Sequence, residues 1–302
     1  MIKLPFELDV NDLIDNLRII CWEAADILLH YSHTIKESNH DNNIIRSKLN
    51  EDPVTLADLE VNELIISGIN QIHNDFNWEI LSEENAKIES NSCNPKADFL
   101  WVLDPLDGTK DFIQGTENYA MHLALNYKQK PLIGFVLIPK RNELWISNGN
   151  TVWCENRDGF FLKNTLSKNK KLCDMTIVTS KNHRNPTLEN LINQINFKKR
   201  LTMGSIGCKI SSILRGESDI YICLSVPGKS SPKDWDFAAP EAILNSSMGA
   251  ITNIDNKNLS YNQPNFEQGG IIVASNNRQN HGNICSQIRK IIKKYDLYPL
   301  NS

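Results

Sequence analysis

WVLDPLDGTKDF, Trp101 to Phe112, places two carboxylates, a proline, a glycine and a threonine directly behind a short apolar run. That run, Phe99 to Leu103, predicts a buried strand, and Pro105 keeps the chain beyond it from simply continuing as helix. Asp104 and Asp107 can then point into one pocket at the strand end. Hard divalent cations such as Mg2+ take oxygen ligands in near-octahedral arrays, and a loop of this composition offers carboxylates plus a backbone carbonyl, here that of Leu106. Gly108 and Thr109 open a predicted helix whose free N–H groups and dipole favour an anion. Taken alone, the string also has a plainer reading, an Asp-Gly turn followed by a helix cap.

Three more acidic segments lie far apart in the chain. DPVTLADLEVNELI (52–65) predicts a helix capped by Thr55, with Asp58 in its first turn and Leu64, Ile65, Ile69 and Ile72 on its inner face. ILSEEN (80–85) sets Glu83 and Glu84 behind the strand-like run Trp78 to Leu81; adjacent carboxylates repel, so such a pair is either solvated or held by cations. DWDFAAPEAIL (234–244) predicts a helix capped by Asp236 that runs towards Ser247 and ends near Gly249. Each segment also has a plain structural reading, as a dipole complement, an exposed pair or an N-cap.

Together the four segments resemble the lithium-sensitive, magnesium-dependent phosphatase superfamily of inositol monophosphatase, fructose-1,6-bisphosphatase and 3′(2′),5′-bisphosphate nucleotidase. D-P-[IL]-D-G-T is met by Asp104 to Thr109, the E-E element by Glu83 and Glu84, and W-D-x-A-A by Trp235 to Ala239. V-T-x-A-D at Val54 to Asp58, D-G-T-K-D-F at Asp107 to Phe112, G-S-x-G-x-K at Gly204 to Lys209 and A-P-E-A-I-L at Ala239 to Leu244 are most similar to the CysQ-type nucleotidases. The resemblance implies a layered αβαβα sandwich with a metal site between an N-terminal α+β half and a C-terminal α/β half. It implies two or three Mg2+ ions: one on Glu83, Asp104 and the Leu106 carbonyl, a second on Asp104, Asp107 and Asp236, and a weaker third helped by Glu83. Thr109, hydrogen-bonded to Asp58, would orient and deprotonate the attacking water, with Glu84 behind the ligands and the Gly108 and Thr109 N–H groups on the phosphate. Lithium inhibition is expected.

The implied substrate is a small phosphate ester, foremost adenosine 3′,5′-bisphosphate; an inositol or sugar phosphate is the alternative. By likeness, Lys209 with Ser205, and Ser180 with His183, would contact the nucleotide. The segment YICLSVPGKSSPKDWD (221–236) lacks an arginine that certain nucleotidases carry there, leaving Lys229 or Lys233 to substitute.

The remaining features agree. With 302 residues, 40% hydrophobic and 23% charged, the chain can build a large core or two modest domains, here divided as 1–160 and 161–302 at the polar stretch Asp158 to Lys171. A net charge of −4 and the lack of a basic stripe with interleaved aromatics argue against a nucleic-acid binder. The seven cysteines include no C-x-x-C pair, which implies a reducing, cytosolic setting without zinc or disulfides. No uncharged stretch approaches the roughly 20 residues needed to span a bilayer. Apolar spacing predicts helices at Asn11 to Tyr31 and Leu56 to His73, an antiparallel meander from Tyr119 to Cys154, and alternating elements from Thr176 to Tyr295, including a helix from Phe237 to Ser247.

Overall fold

Alternation along Phe99–Asp107 builds the middle of the molecule: Leu100 and Val102 face one way, Trp101 and Leu103 the other, and all four are buried. The computed structural model describes residues 9–37, 45–46, 54–72, 78–88, 97–159, 161–162, 169–181, 185–225 and 231–300. In chain order the elements are α1 (Val10–Glu37), β1 (Ile45–Arg46), β2 (Val54–Thr55), α2 (Leu56–Ile72), β3 (Glu79–Ser82), α3 (Glu83–Ile88), β4 (Phe99–Asp107), α4 (Thr109–Ile113), β5 (Ala120–Tyr127), β6 (Lys130–Ile138), β7 (Glu143–Ser147), β8 (Val152–Glu155) and β9 (Phe161–Leu162). They continue as β10 (Thr176–Ser180), α5 (Pro186–Ile195), β11 (Lys199–Met203), α6 (Ile206–Leu214), β12 (Ile220–Leu224), α7 (Asp234–Asn245), β13 (Ala250–Asn253), β14 (Ile271–Ser275) and α8 (Arg278–Tyr295).

Strands β3 to β9 lie in sequence order in one seven-stranded sheet, parallel at β3–β4 and antiparallel thereafter, and β5 to β8 are the meander expected from Tyr119 to Cys154. The second sheet has order β11-β10-β12-β14-β13, with β10 parallel to both β11 and β12, and β14 antiparallel to its neighbours. Helices α1 and α2 cover the Trp101 face of the first sheet. Its other face, with Leu100 and Val102, packs on α6 and α7, which also touch Tyr221, Ile251 and Ile272 of the second sheet. Helices α5 and α8 close the far side against Ile177, Ile220 and Val273. The molecule is therefore the expected αβαβα sandwich. Because sheets flank α6 and α7 on both sides, these helices are buried nearly all round. The approach of α7 to β6 requires Gly134, where a Cβ would come within 2.6 Å of Ala242 Cβ.

Three expectations shift. Helix α7 begins at Asp234, so Asp236 is its third residue rather than its cap, and its carboxylate reaches back to the Lys233 N–H (2.6 Å). The buried face of α2 is centred on Val61, Ile65 and Ile69, while Leu64 and Ile72 are half-buried, because the helix presents Asp58 inward as well. Strands β11 and β13 have no counterpart in the sequence reading. No described helix is long and apolar enough to cross a membrane.

Buried His281 links α8 to the second sheet, with Nδ1 2.7 Å from Ser275 Oγ and Nε2 2.8 Å from Thr252 Oγ1. Burial first, then Arg278, push its pKa down to about 4. The unfolded chain, with an ordinary histidine near 6.5, takes up the proton first as pH falls, so this contribution is whole above about pH 6.5 and is lost towards pH 4. In denaturant unfolding, His281→Phe should be about 1–3 kcal/mol less stable than wild type at pH 7.5, and that gap should narrow by pH 4.5. A gap independent of pH would contradict the assignment.

Candidate metal and phosphate site

Residues three apart on a regular strand point to opposite faces. Asp104 and Asp107 escape this because β4 is irregular between them: Asp104 pairs with His122 but Asp107 with Ala120, so one extra residue is absorbed in the turn at Pro105 and Leu106. Proline has no N–H for the ladder, and the Leu106 N–H turns back onto Asp104 Oδ1 (3.0 Å). The two carboxylates thereby converge, and with Asp236 from α7 they bring one oxygen each to within 4.8 Å of one another.

Gly108 then turns the chain with φ +90°; a Cβ there would meet Asn118 O at 2.9 Å and Ser205 N at 3.2 Å. Thr109 starts α4, and its hydroxyl donates to the Leu106 carbonyl (3.1 Å). Glu83 follows β3, whose last residue Ser82 pairs with Leu103, so Glu83 stands beside Asp104. Beyond burial, the Glu83 charge acts on Asp104 and helps to raise its pKa. Burial, reinforced by neighbouring carboxylates, holds the pKa values of Glu83, Asp104 and Asp236 above the ordinary carboxylate range. Enclosed and half-enclosed acids that raise one another's proton affinity in this way form a site that oxygen-seeking divalent cations fit.

Asp107 is held differently. Its Oδ2 sits at the amino end of α6, accepting from Ser205 Oγ (2.6 Å), the Ile206 N–H and the Gly207 N–H (3.2 Å), with His122 Nε2 at 3.3 Å. Ser205, expected to touch substrate, is fully buried; its hydroxyl serves Asp107 and accepts the Cys208 N–H as the cap of α6.

Lys209 is likewise enclosed rather than reaching outward. It is 1% exposed, its ammonium donates to Gly204 O (2.6 Å), and it lies 5.3 Å from the Tyr221 ring centre. Burial lowers its pKa, against the pull of Asp107.

The hydrogen bond expected between Thr109 and Asp58 is not formed. Asp58 closes the first turn of α2 instead, its Oδ2 accepting the Thr55 N–H (2.8 Å) and hydroxyl (2.6 Å). It remains close enough to Glu83 and Glu84 to feel their charge, and burial above all raises its pKa to about 7. Glu84 is buried and paired with Lys87 (2.9 Å). Ser180 ends β10 half-buried, while His183 and Lys229 lie outside the described residues. Lys233 is engaged with Asn265 O (2.9 Å) and Glu267 (3.2 Å).

Two residues near the carboxylates escaped the sequence reading. His122 bridges Asp107 and the Trp235 carbonyl (3.3 Å), and its only signal is a lone basic residue in the apolar strand AMHLALNY. Lys87 signals itself by its four-residue spacing from Glu83.

Fold and site together are those of a phosphatase that uses divalent metal, and residues 11–293 match the model of the inositol monophosphatase family. The chain belongs to that family. Among curated relatives, mouse 3′(2′),5′-bisphosphate nucleotidase 1 is 28% identical over 67% of this chain and 66% of its own length. The CysQ 3′(2′),5′-bisphosphate nucleotidase of Shigella flexneri is 26% identical over 82% of this chain and 94% of its own length. Among solved structures, the Thermotoga maritima IMPase superposes with a TM-score of 0.70 at 19% identity, covering 94% of this chain and 99% of that one.

Two outcomes follow from this geometry. Mg2+ added to EDTA-treated protein should raise its melting temperature, and Asp107→Asn should fold but lose most of that rise; a full rise in the variant would remove Asp107 from the site. A Cβ at Gly207 would collide with His122 Nε2 and lie 2.8 Å from Val136 Cγ1. Gly207→Ala should therefore cost about 1–3 kcal/mol in denaturant unfolding, and an unchanged midpoint would show that the helix end has slack.

Proposed function

We propose that the protein is an Mg2+-dependent phosphomonoesterase that removes the 3′-phosphate of adenosine 3′,5′-bisphosphate to leave AMP, and also acts on its sulfated analogue. The observation that carries the reading is the convergence of Asp104 and Asp107 from β4 with Asp236 from α7. The nucleotide is supported by the names of the sequence relatives and by the CysQ-like motifs.

Glu83, Asp104, the Leu106 carbonyl, Asp107 and Asp236 would hold two or three ions. When bound, such ions neutralise phosphate oxygens and lower the pKa of a coordinated water. The chain supplies the rest. The N–H groups of Gly108 and Thr109 grip the phosphate. Because the Thr109 hydroxyl proton is committed to Leu106 O, its oxygen lone pairs are left to accept from, and so orient, the attacking water. Asp58, its pKa raised to about 7 by burial and by the charges of Glu83 and Glu84, is a proton acceptor near neutrality. No covalent phosphoenzyme is required. Ser180 and His183 would face the nucleoside.

One observation favours a second reading, a phosphatase of inositol or sugar phosphates. Lys209 is enclosed and already bonded to Gly204 O, which leaves a second phosphate without an evident free ammonium there. The two are separated by measuring phosphate release from adenosine 3′,5′-bisphosphate and inositol 1-phosphate with Mg2+, with and without EDTA. Strong, EDTA-sensitive preference for the nucleotide is expected; preference for the inositol ester would move the substrate and leave the carboxylate chemistry intact. Lys209→Met should depress turnover of both esters by a similar factor. A loss confined to the bisphosphate would mean that Lys209 does reach the second phosphate.

A further inference from the structure

The acidic pair that opens α3 carries its own cation. Lys87 follows Glu83 by four residues and Glu84 by three, so one helical turn brings its side chain back over both. Its Nζ lies 3.0 Å from Glu83 Oε1 and 2.9 Å from Glu84 Oε1, with side-chain exposures of 25% for the lysine, 21% for Glu83 and 5% for Glu84. Water screens these contacts only in part, unlike an ordinary surface pair. Glu83 also stands beside Asp104, because Ser82 before it pairs with Leu103.

We propose that Lys87 is an internal counter-cation of the metal site, balancing Glu83 and Glu84 in the ion-free protein and weakening divalent-ion binding at the Glu83 end by competing for that carboxylate. The inference rests on the metal reading of the site. Glu83 and Glu84 lie beside the cluster of Asp104, Asp107 and Asp236, and among the described residues Lys87 contacts both glutamates directly. Whatever stabilisation it gives the ion-free form and surrenders on ion binding must appear as lost affinity, because the two are linked. The geometry suits exchange better than fixed orientation. Lysine is a compact charge on a flexible stem, and the buried Glu84 gives it a resting partner after it releases Glu83. Glu84 therefore serves the site without ligating.

The test is calorimetric titration with Mg2+ and thermal melting with and without Mg2+, on EDTA-stripped wild type, Lys87→Met and Lys87→Arg. Lys87→Met should bind Mg2+ roughly three- to tenfold tighter, melt lower when ion-free and gain more from Mg2+, with Lys87→Arg close to wild type. Lys87→Gln gives the same comparison if the methionine variant does not fold. Equal lowering of both melting temperatures with unchanged affinity would overturn the proposal, since that is a purely structural role. Weaker binding would also overturn it, by showing that Lys87 orients Glu83 for the ion. Failure of the wild type itself to bind Mg2+ would instead defeat the metal reading beneath it.

Discussion

The carboxylate of Asp107 at the amino end of α6 is the contact on which the site depends. An ionised acid next to Asp104 and Asp236 is poorly tolerated in a buried setting unless hydrogen bonds meet its charge. Ser205 and the first N–H groups of α6 supply them, where the helix dipole also favours an anion. The contact fixes β4, in the first sheet, against the central helix layer. Asp104 travels with β4, and Asp236 lies on α7, which packs on both β4 and α6. One interaction across layers thus sets the distances among three acids from segments about 130 residues apart.

What could be read in advance follows from how each element is buried. The apolar runs at Phe99 to Leu103 and Tyr119 to Cys154, and the spacing of Leu13, Leu17, Ala24 and Leu28 on α1, are strong because those elements pack against a continuous core. Strand β11, KRLTM, pairs only with β10 at the sheet edge and leaves most of its side chains half or fully exposed, so it carries no apolar alternation. Strand β13 is four residues long and falls straight after the end of α7, where the expected helix ran past its true limit. The acids were legible because Pro105 and Gly108 allow few backbone paths. Their convergence still required a bulge that no side-chain pattern announces.

Lys209 and Ser205 have surroundings that the sequence did not announce. Lysine is rarely enclosed, so a lysine near a phosphate motif reads as a substrate contact. Here α6 lies between two sheets, and its position decides the outcome: Lys209 has Gly204 O and the Tyr221 face as its surroundings. Ser205 is a helix cap whose hydroxyl also completes the shell of Asp107. In this structure both residues commit their polar atoms to the fold around the carboxylates.

The acids at the end of β4 and the start of α7 therefore form one negative pocket in which proton affinity and metal affinity are the same property seen twice. The direct test is the anomalous difference map of a crystal soaked in Mn2+, which takes the same oxygen ligands as Mg2+ and can be located by its scattering. A peak about 2.0–2.3 Å from oxygens of Asp104, Asp107 and Asp236 together is the predicted result. Density confined to other carboxylates, or none at saturating Mn2+, would contradict the claim that this convergence is a metal site.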